Sequence, residues 1–146
     1  MSADDERALA FEIGGMAFSL PLRDVREVTD LAEIRSVPTL PRALVGITNH
    51  RGDALPVVAA SALLGVGAAS DARQILVLGG NGDEPPQMGL PVDRILGLAE
   101  APQGRRDPHG VARERAMLDE RTLNVLDVTR LLELAGETIG RARQRP

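Results

Sequence analysis

The sequence predicts an all-β fold, a small barrel or a sandwich, and three observations carry the prediction. Short runs of alternating apolar residues recur along the chain. Turn signals separate them at the spacing usual for small β-proteins, about 8–12 residues. Helical periodicity is too scarce to supply the crossovers of an α/β sheet. At 146 residues the chain has the length of one ordinary domain. A chain of this size buries about 68–70% of its unfolded surface and sustains a core without covalent staples.

Residues 1–8 are charged and aperiodic and read as a flexible leader. From Leu9 the pattern alternates: Leu9, Phe11 and Ile13 precede Gly14-Gly15, and Ala17, Phe18 and Leu20 follow, which predicts a β-hairpin. The stretch Leu22–Leu31 fits a helical turn or a strand, and Val25, Val28 and Thr29 favour the strand. Pro38 and Pro41 mark an extended connector. "ALVGITN" and "DALPVV" form a second hairpin, and "SALLGVG" a short helical turn ending at Gly65. "RQILVLGG" is a strand, "NGDEPPQ" a loop, and "MGLPVDRILGLAEA" one or two strands. "PQGRRDPHGVARE" reads as a long polar loop, and "RAMLDERTLNVLDV" as a hairpin turning at Asp119-Glu120-Arg121. Val128, Leu131, Leu132 and Ala135 have helical spacing, which Gly136 and Gly140 weaken. Residues 135–146 read as a helix end and solvated tail, Arg141, Arg143 and Arg145 included.

Composition narrows the function. There is no Cys, which excludes disulfides and thiolate metal sites and suits a reducing compartment. The acidic start lacks the basic and apolar regions of a secretory signal, and no apolar run is long enough to span a membrane, so a soluble cytoplasmic protein is expected. Net charge is −4, all basic residues are Arg, and the only aromatics are Phe11 and Phe18. Nucleic-acid binding surfaces and cofactor pockets both lean on aromatic side chains, so neither nucleic acid nor a cofactor is expected as a ligand.

The densest polar knot is "TNHRGD", Thr48–Asp53, between two apolar runs. Three enzymatic readings of it lack their usual sequence signatures. His50 and His109 are the only histidines; both read as exposed loop residues with no ligand partners at metal-site spacing, so no metal is expected. Ser19, Ser36 and Ser61 could complete a triad with His50, but none lies in a nucleophile elbow. Asp53, Asp93 and Asp127 each end or interrupt an apolar run, where acids bond turn amides more often than they pair for acid–base work. Phosphate-cradling glycine motifs are absent, and Arg51-Gly52-Asp53 has no secretion signal to support an adhesive role. What remains is an Arg-rich, aliphatic surface suited to protein partners.

The knot also carries a family resemblance. Pro41, Gly46, Asn49, Arg51, Gly52, Pro56 and Val57 resemble the "GxxNxRGxxxPV" signature of CheW-like domains of bacterial chemotaxis, with its preceding Pro. Val25-Arg26-Glu27-Val28 is similar to the end of that family's opening hairpin, Val92-Asp93 with Ile95 to a later strand, and "LNVLDVTRLLE" to its closing element. The matches fall in order over residues 9–134. The resemblance implies two five-stranded β-barrels of OB/SH3-like type, packed together with strands exchanged, within a single domain, plus short helical turns and a C-terminal helix. It implies a non-catalytic adaptor that couples methyl-accepting chemoreceptors to the CheA histidine kinase in cytoplasmic, membrane-associated arrays. Its partners would be the receptor's cytoplasmic tip, the kinase's regulatory domain and other CheW-like domains.

By position Val25, Gly46 and Arg51 match the family's receptor-contacting face, with Asn49 and Gly52 framing the turn. Arg51 would donate to receptor acids or brace its own loop, two compatible roles. No residue is assigned to the kinase. His50 stands where the family usually has Leu, and Ala59-Ala60 where it expects Asp-Leu, which implies a divergent member for an auxiliary or pilus-motility pathway. Two alternatives stay open: a degenerate domain that binds kinase but not receptor, and a small ligand-binding or hydrolase barrel using His50 and Asp53.

Overall fold

Gly14 and Gly15 turn the chain back on itself with φ of 57° and 83°, the positive pair that a two-residue hairpin of right-handed twist requires. The turn joins β1 (Arg7–Ile13) to β2 (Met16–Pro21) with Phe11 opposite Phe18. This computed structural model describes residues 7–31, 44–59, 72–80, 83–100, 112–118 and 121–144. After a single 3-10 turn at Leu22–Asp24 come β3 (Val25–Asp30), β4 (Leu44–His50), β5 (Asp53–Val58), β6 (Gln74–Leu78), β7 (Met88–Val92), β8 (Arg94–Glu100), β9 (Ala112–Leu118), β10 (Arg121–Leu126) and α1 (Val128–Gln144). Leu22–Leu31 thus resolves mainly as the strand its β-branched residues favour. The proline connector and the "SALLGVG" turn lie outside the described residues.

The strands form two five-stranded sheets, ordered β8-β1-β2-β10-β9 and β3-β6-β7-β5-β4. The second is built from consecutive chain. The first joins the opening hairpin to the last three strands, so each end of the chain completes a sheet begun by the other. Two parallel pairings bind distant segments: β2 with β10, and β5 with β7. Asn124 strengthens the first by donating its side-chain amide to the Ala17 carbonyl, 3.0 Å away.

Both faces of the central strands are buried. Leu9, Phe11, Ile13, Phe18, Leu20 and Leu126 of the first sheet pack with Leu76, Leu78, Met88, Leu90 and Val92 of the second, and Val128, Leu131 and Ala135 close the same cluster from the helix. The two phenyl rings stack within it, centroids 6.0 Å apart. The opposite face of the first sheet covers Ala10, Ala17, Ala99 and Leu123, and that of the second covers Leu55, Ile75 and Val77. Each sheet therefore carries a small core of its own besides the shared one. Small residues on the first sheet's second face let its backbone curve closely over that core.

Asp93 marks the crossing from the second sheet to the first. Its carboxylate accepts from Gly14 N at 2.8 Å, and its own amide donates to the Glu12 carbonyl at 2.9 Å. Asp127 caps α1: its side chain accepts from Arg130 N at 3.3 Å and its carbonyl from Leu131 N at 2.9 Å. Both acids bond turn amides, as their positions in the sequence suggest.

Three boundaries differ from the sequence reading. β1 starts at Arg7, and Ala8 is fully covered, so the last two leader residues are strand. β9 starts at Ala112, inside the segment read as polar loop. It is an edge strand, where charged residues are tolerated and discourage unwanted pairing. The helix runs through Gly136 and Gly140 to Gln144. Each glycine costs about 1 kcal/mol relative to Ala. The capped, core-anchored first turns supply the nucleus that such a helix needs before it propagates.

Replacing Leu76 or Leu131 by Ala should remove about 2–5 kcal/mol of unfolding free energy. Val28→Ala, on the exposed side of β3, should cost less than about 0.5 kcal/mol. Asp127→Ala should cost about 1 kcal/mol through the lost cap. Urea unfolding followed by circular dichroism measures all of these.

Candidate functional site

The β4–β5 hairpin closes with His50 opposite Asp53, which leaves Arg51 and Gly52 as its two turn residues. Their φ values are 52° and 90°. Both are positive, the signature of a type I′ turn. Gly52 adopts this at no steric cost. Arg51 is the only non-glycine residue with positive φ among those described, a conformation that costs about 1–2 kcal/mol for a residue with a Cβ. Asn49 offsets part of that cost by accepting the Gly52 amide on its side-chain oxygen at 2.9 Å. The turn thus holds Arg51 at a tip, with its side chain 76% exposed.

What Arg51 faces is set by the sheet. β3 and β4 are the two edge strands of the second sheet, with three strands between them. Yet Glu27 of β3 reaches His50 of β4. Its Oε2 lies 2.7 Å from His50 Nε2 and 3.3 Å from Arg51 Nη2. The sheet has therefore rolled until its edges come within side-chain reach, and a polar cluster bridges them. β8 and β9, the edges of the first sheet, also approach each other. An ionised carboxylate only accepts, so His50 presents Nε2–H to it. The His50 hydrogen bond, then Arg51's hydrogen bond and charge, hold the Glu27 carboxyl below the usual range; partial desolvation acts the other way.

The remaining predicted residues distribute unevenly. Val25 is half-buried against the shared core, and a bulge at Arg26 separates it from Glu27. Arg26 points away and donates to the Glu84 carbonyl. Gly46 is buried beside a bulge in β4, where it shapes the strand that carries the turn. Asn49, Arg51 and Gly52 are exposed together at the turn.

Two sequence readings are corrected. His50 is not an exposed loop histidine: its side chain is 13% accessible and bonded to Glu27. Its acid partner is Glu27 of β3, not Asp53. As for a nucleophile, Ser19 is completely buried in the first sheet, and its Oγ has no hydrogen-bond partner among the described residues. Ser36, Ser61 and His109 lie outside the described residues. Among the described residues no group of three His, Asp or Glu side chains could hold a metal ion.

Glu27 is the residue the sequence reading missed. A signal was present: an acid shares strand parity with the half-buried Thr29, on the partly covered face of β3. Such an acid calls for a partner. Because its folded-state ionisation is favoured, its contribution is complete above the ordinary carboxylate range and is lost as pH falls through the folded value. The wild type should exceed Glu27→Gln in stability by about 0.5–1 kcal/mol near pH 7, a difference that narrows as pH falls below the ordinary carboxylate range and the Glu27 carboxyl takes up its proton. Thermal unfolding of both proteins across pH measures this.

Comparison with known proteins agrees with the fold and the motif order. Residues 7–136 match the family model of the CheW-like domain. Protein FrzA of Myxococcus xanthus is 26% identical over 142 residues, covering 90% of this chain and 88% of the relative. Chemotaxis protein CheW of Thermotoga maritima is 24% identical over 132 residues, covering 86% of each. The crystal structure of the scaffolding protein TtCheW from Thermoanaerobacter tengcongensis superposes with a TM-score of 0.71 at 20% identity, over 85% of each chain. With two five-stranded sheets, a C-terminal helix and a family match over most of its length, this chain belongs to the CheW-like domain family.

Proposed function

We propose that this protein is a non-catalytic chemosensory adaptor, coupling the cytoplasmic tip of methyl-accepting chemoreceptors to a CheA-type histidine kinase within cytoplasmic arrays. Family membership over residues 7–136 supports the class. The observation that carries the coupling role is the Arg51 turn: a guanidinium 76% exposed, fixed in backbone by a type I′ turn and backed by Glu27. Such a group offers several donors in one plane to carboxylates or backbone carbonyls on a helical hairpin. Asn49 and Gly52 hold its geometry. Val25 supplies an apolar flank, and Gly46 acts indirectly through the shape of β4. No helix among the described residues is long and apolar enough to cross a membrane. In this reading the receptor carries the membrane attachment of the array.

Titration calorimetry with a soluble receptor-hairpin fragment and with a CheA regulatory domain tests the reading. Micromolar binding to both is expected, and absence of binding to either at about 100 μM would overturn it. Arg51→Ala should weaken receptor binding about fivefold or more while leaving kinase binding unchanged. Its melting temperature should move by no more than a few degrees, about the shift that 1 kcal/mol produces in a domain of this size.

A further inference from the structure

We propose that His50 is a proton-sensitive gate on Arg51: protonation of its ring places a second cation on the Glu27 carboxylate and frees the Arg51 guanidinium for an anionic group on the partner. The idea rests on the coupling role proposed for Arg51, but its geometric basis is independent of any partner.

Both side chains address one oxygen. Glu27 Oε2 lies 2.7 Å from His50 Nε2 and 3.3 Å from Arg51 Nη2. The two are held differently. His50 lies within β4 with its side chain 13% accessible, whereas Arg51 reaches the same oxygen from a side chain 76% exposed. Arg51 is therefore the partner that can leave. A neutral ring shares the carboxylate with Arg51 through a hydrogen bond in which only the acceptor is charged. A protonated ring adds a full positive charge to that bond and competes with Arg51 for the same oxygen.

Charge counting points the same way. His50 bonds Glu27 of β3, shares that carboxylate with Arg51 of the turn, and stands opposite the ionisable Asp53 of β5 in the strand register. Arg26 and Asp30 lie on the exposed positions of β3 that alternate with Glu27. Glu27, Asp53 and Arg51 leave a local excess of one negative charge when the ring is neutral and none when it is protonated. Proton uptake thus removes the negative field that opposes an acidic partner at Arg51. Imidazole is the side chain that ordinarily changes charge between about pH 5 and 8. Glu27, held below the usual carboxylate range, stays ionised across that span and keeps the cluster in place.

The test has a partner-free arm and a binding arm. In the free protein, NMR follows the His50 ring and the Arg51 side-chain N–H signals from about pH 5 to 8. The Arg51 signals should shift with the same midpoint as the His50 ring; Arg51 signals that ignore the ring's titration would overturn the gate. In the binding arm, calorimetry measures the receptor-hairpin fragment at about pH 6 and pH 8 against wild type, His50→Leu and His50→Gln. Wild type should bind about fivefold more tightly at the lower pH, a coupling at the small end of the usual range. Both variants should lose that dependence while still binding. An equal pH response in the variants would overturn the gate. Absence of binding at either pH would count against the coupling role, and the gate would then stand or fall on the free-protein titration.

Discussion

The shared core between the two sheets is the constraint on which the rest of this structure depends. The first sheet cannot be finished by a contiguous stretch of chain, and the second, though built from consecutive chain, is covered by segments from both sides of it in sequence. The opening hairpin waits for β8, β9 and β10, and the face it presents is sealed by β6, β7 and the terminal helix. Burial of apolar surface is non-directional, so it alone would not choose this arrangement. The choice comes from the parallel pairings of β2 with β10 and β5 with β7, which set the register of distant segments. Asp93 then pins the crossover to the first hairpin. Local bonds at junctions and non-local burial between sheets specify one topology together.

Rolling follows from the same burial. The central strands carry apolar residues on both faces, and a flat sheet could cover only one of them against its neighbour. Curving over a second, smaller core buries the other. That curvature brings β3 and β4 together although three strands separate them in the sheet. In place of a backbone ladder, Glu27, His50 and Arg51 bridge the gap. A bridge of charged and polar side chains is weaker than a ladder and more responsive to ions and pH. A rigid scaffold with a responsive seam suits a protein whose work is to bind.

The seam also shows how local strain and long-range contact meet. Arg51 takes a left-handed conformation that glycine would adopt more readily. The Asn49 bond to the Gly52 amide holds the turn from one side, and the Glu27 carboxylate holds the side chain from the other. The tip therefore presents a guanidinium whose position is determined by two strands. Gly46 lies buried beside a bulge in β4 and sets the path of the strand that carries the turn.

Much of this protein is decided locally. Alternation of apolar residues, paired glycines at turns and the acid before the helix are properties of neighbouring residues. They were legible as the first hairpin, the β4–β5 hairpin with Arg51 at its tip, and the caps at Asp93 and Asp127. The ordered motifs made the family legible as well. Local pattern misjudged β9, because an edge strand tolerates charges that look like loop, and the helix end, because propagation from an anchored nucleus overrides two glycines. The partner of His50 was decided only in three dimensions. Glu27 and His50 are 23 residues apart, on opposite edges of one sheet. Nothing in either segment's periodicity encodes how far a sheet must roll to bury both its faces, and that roll is what turns an apparent loop histidine into half of a hydrogen-bonded seam.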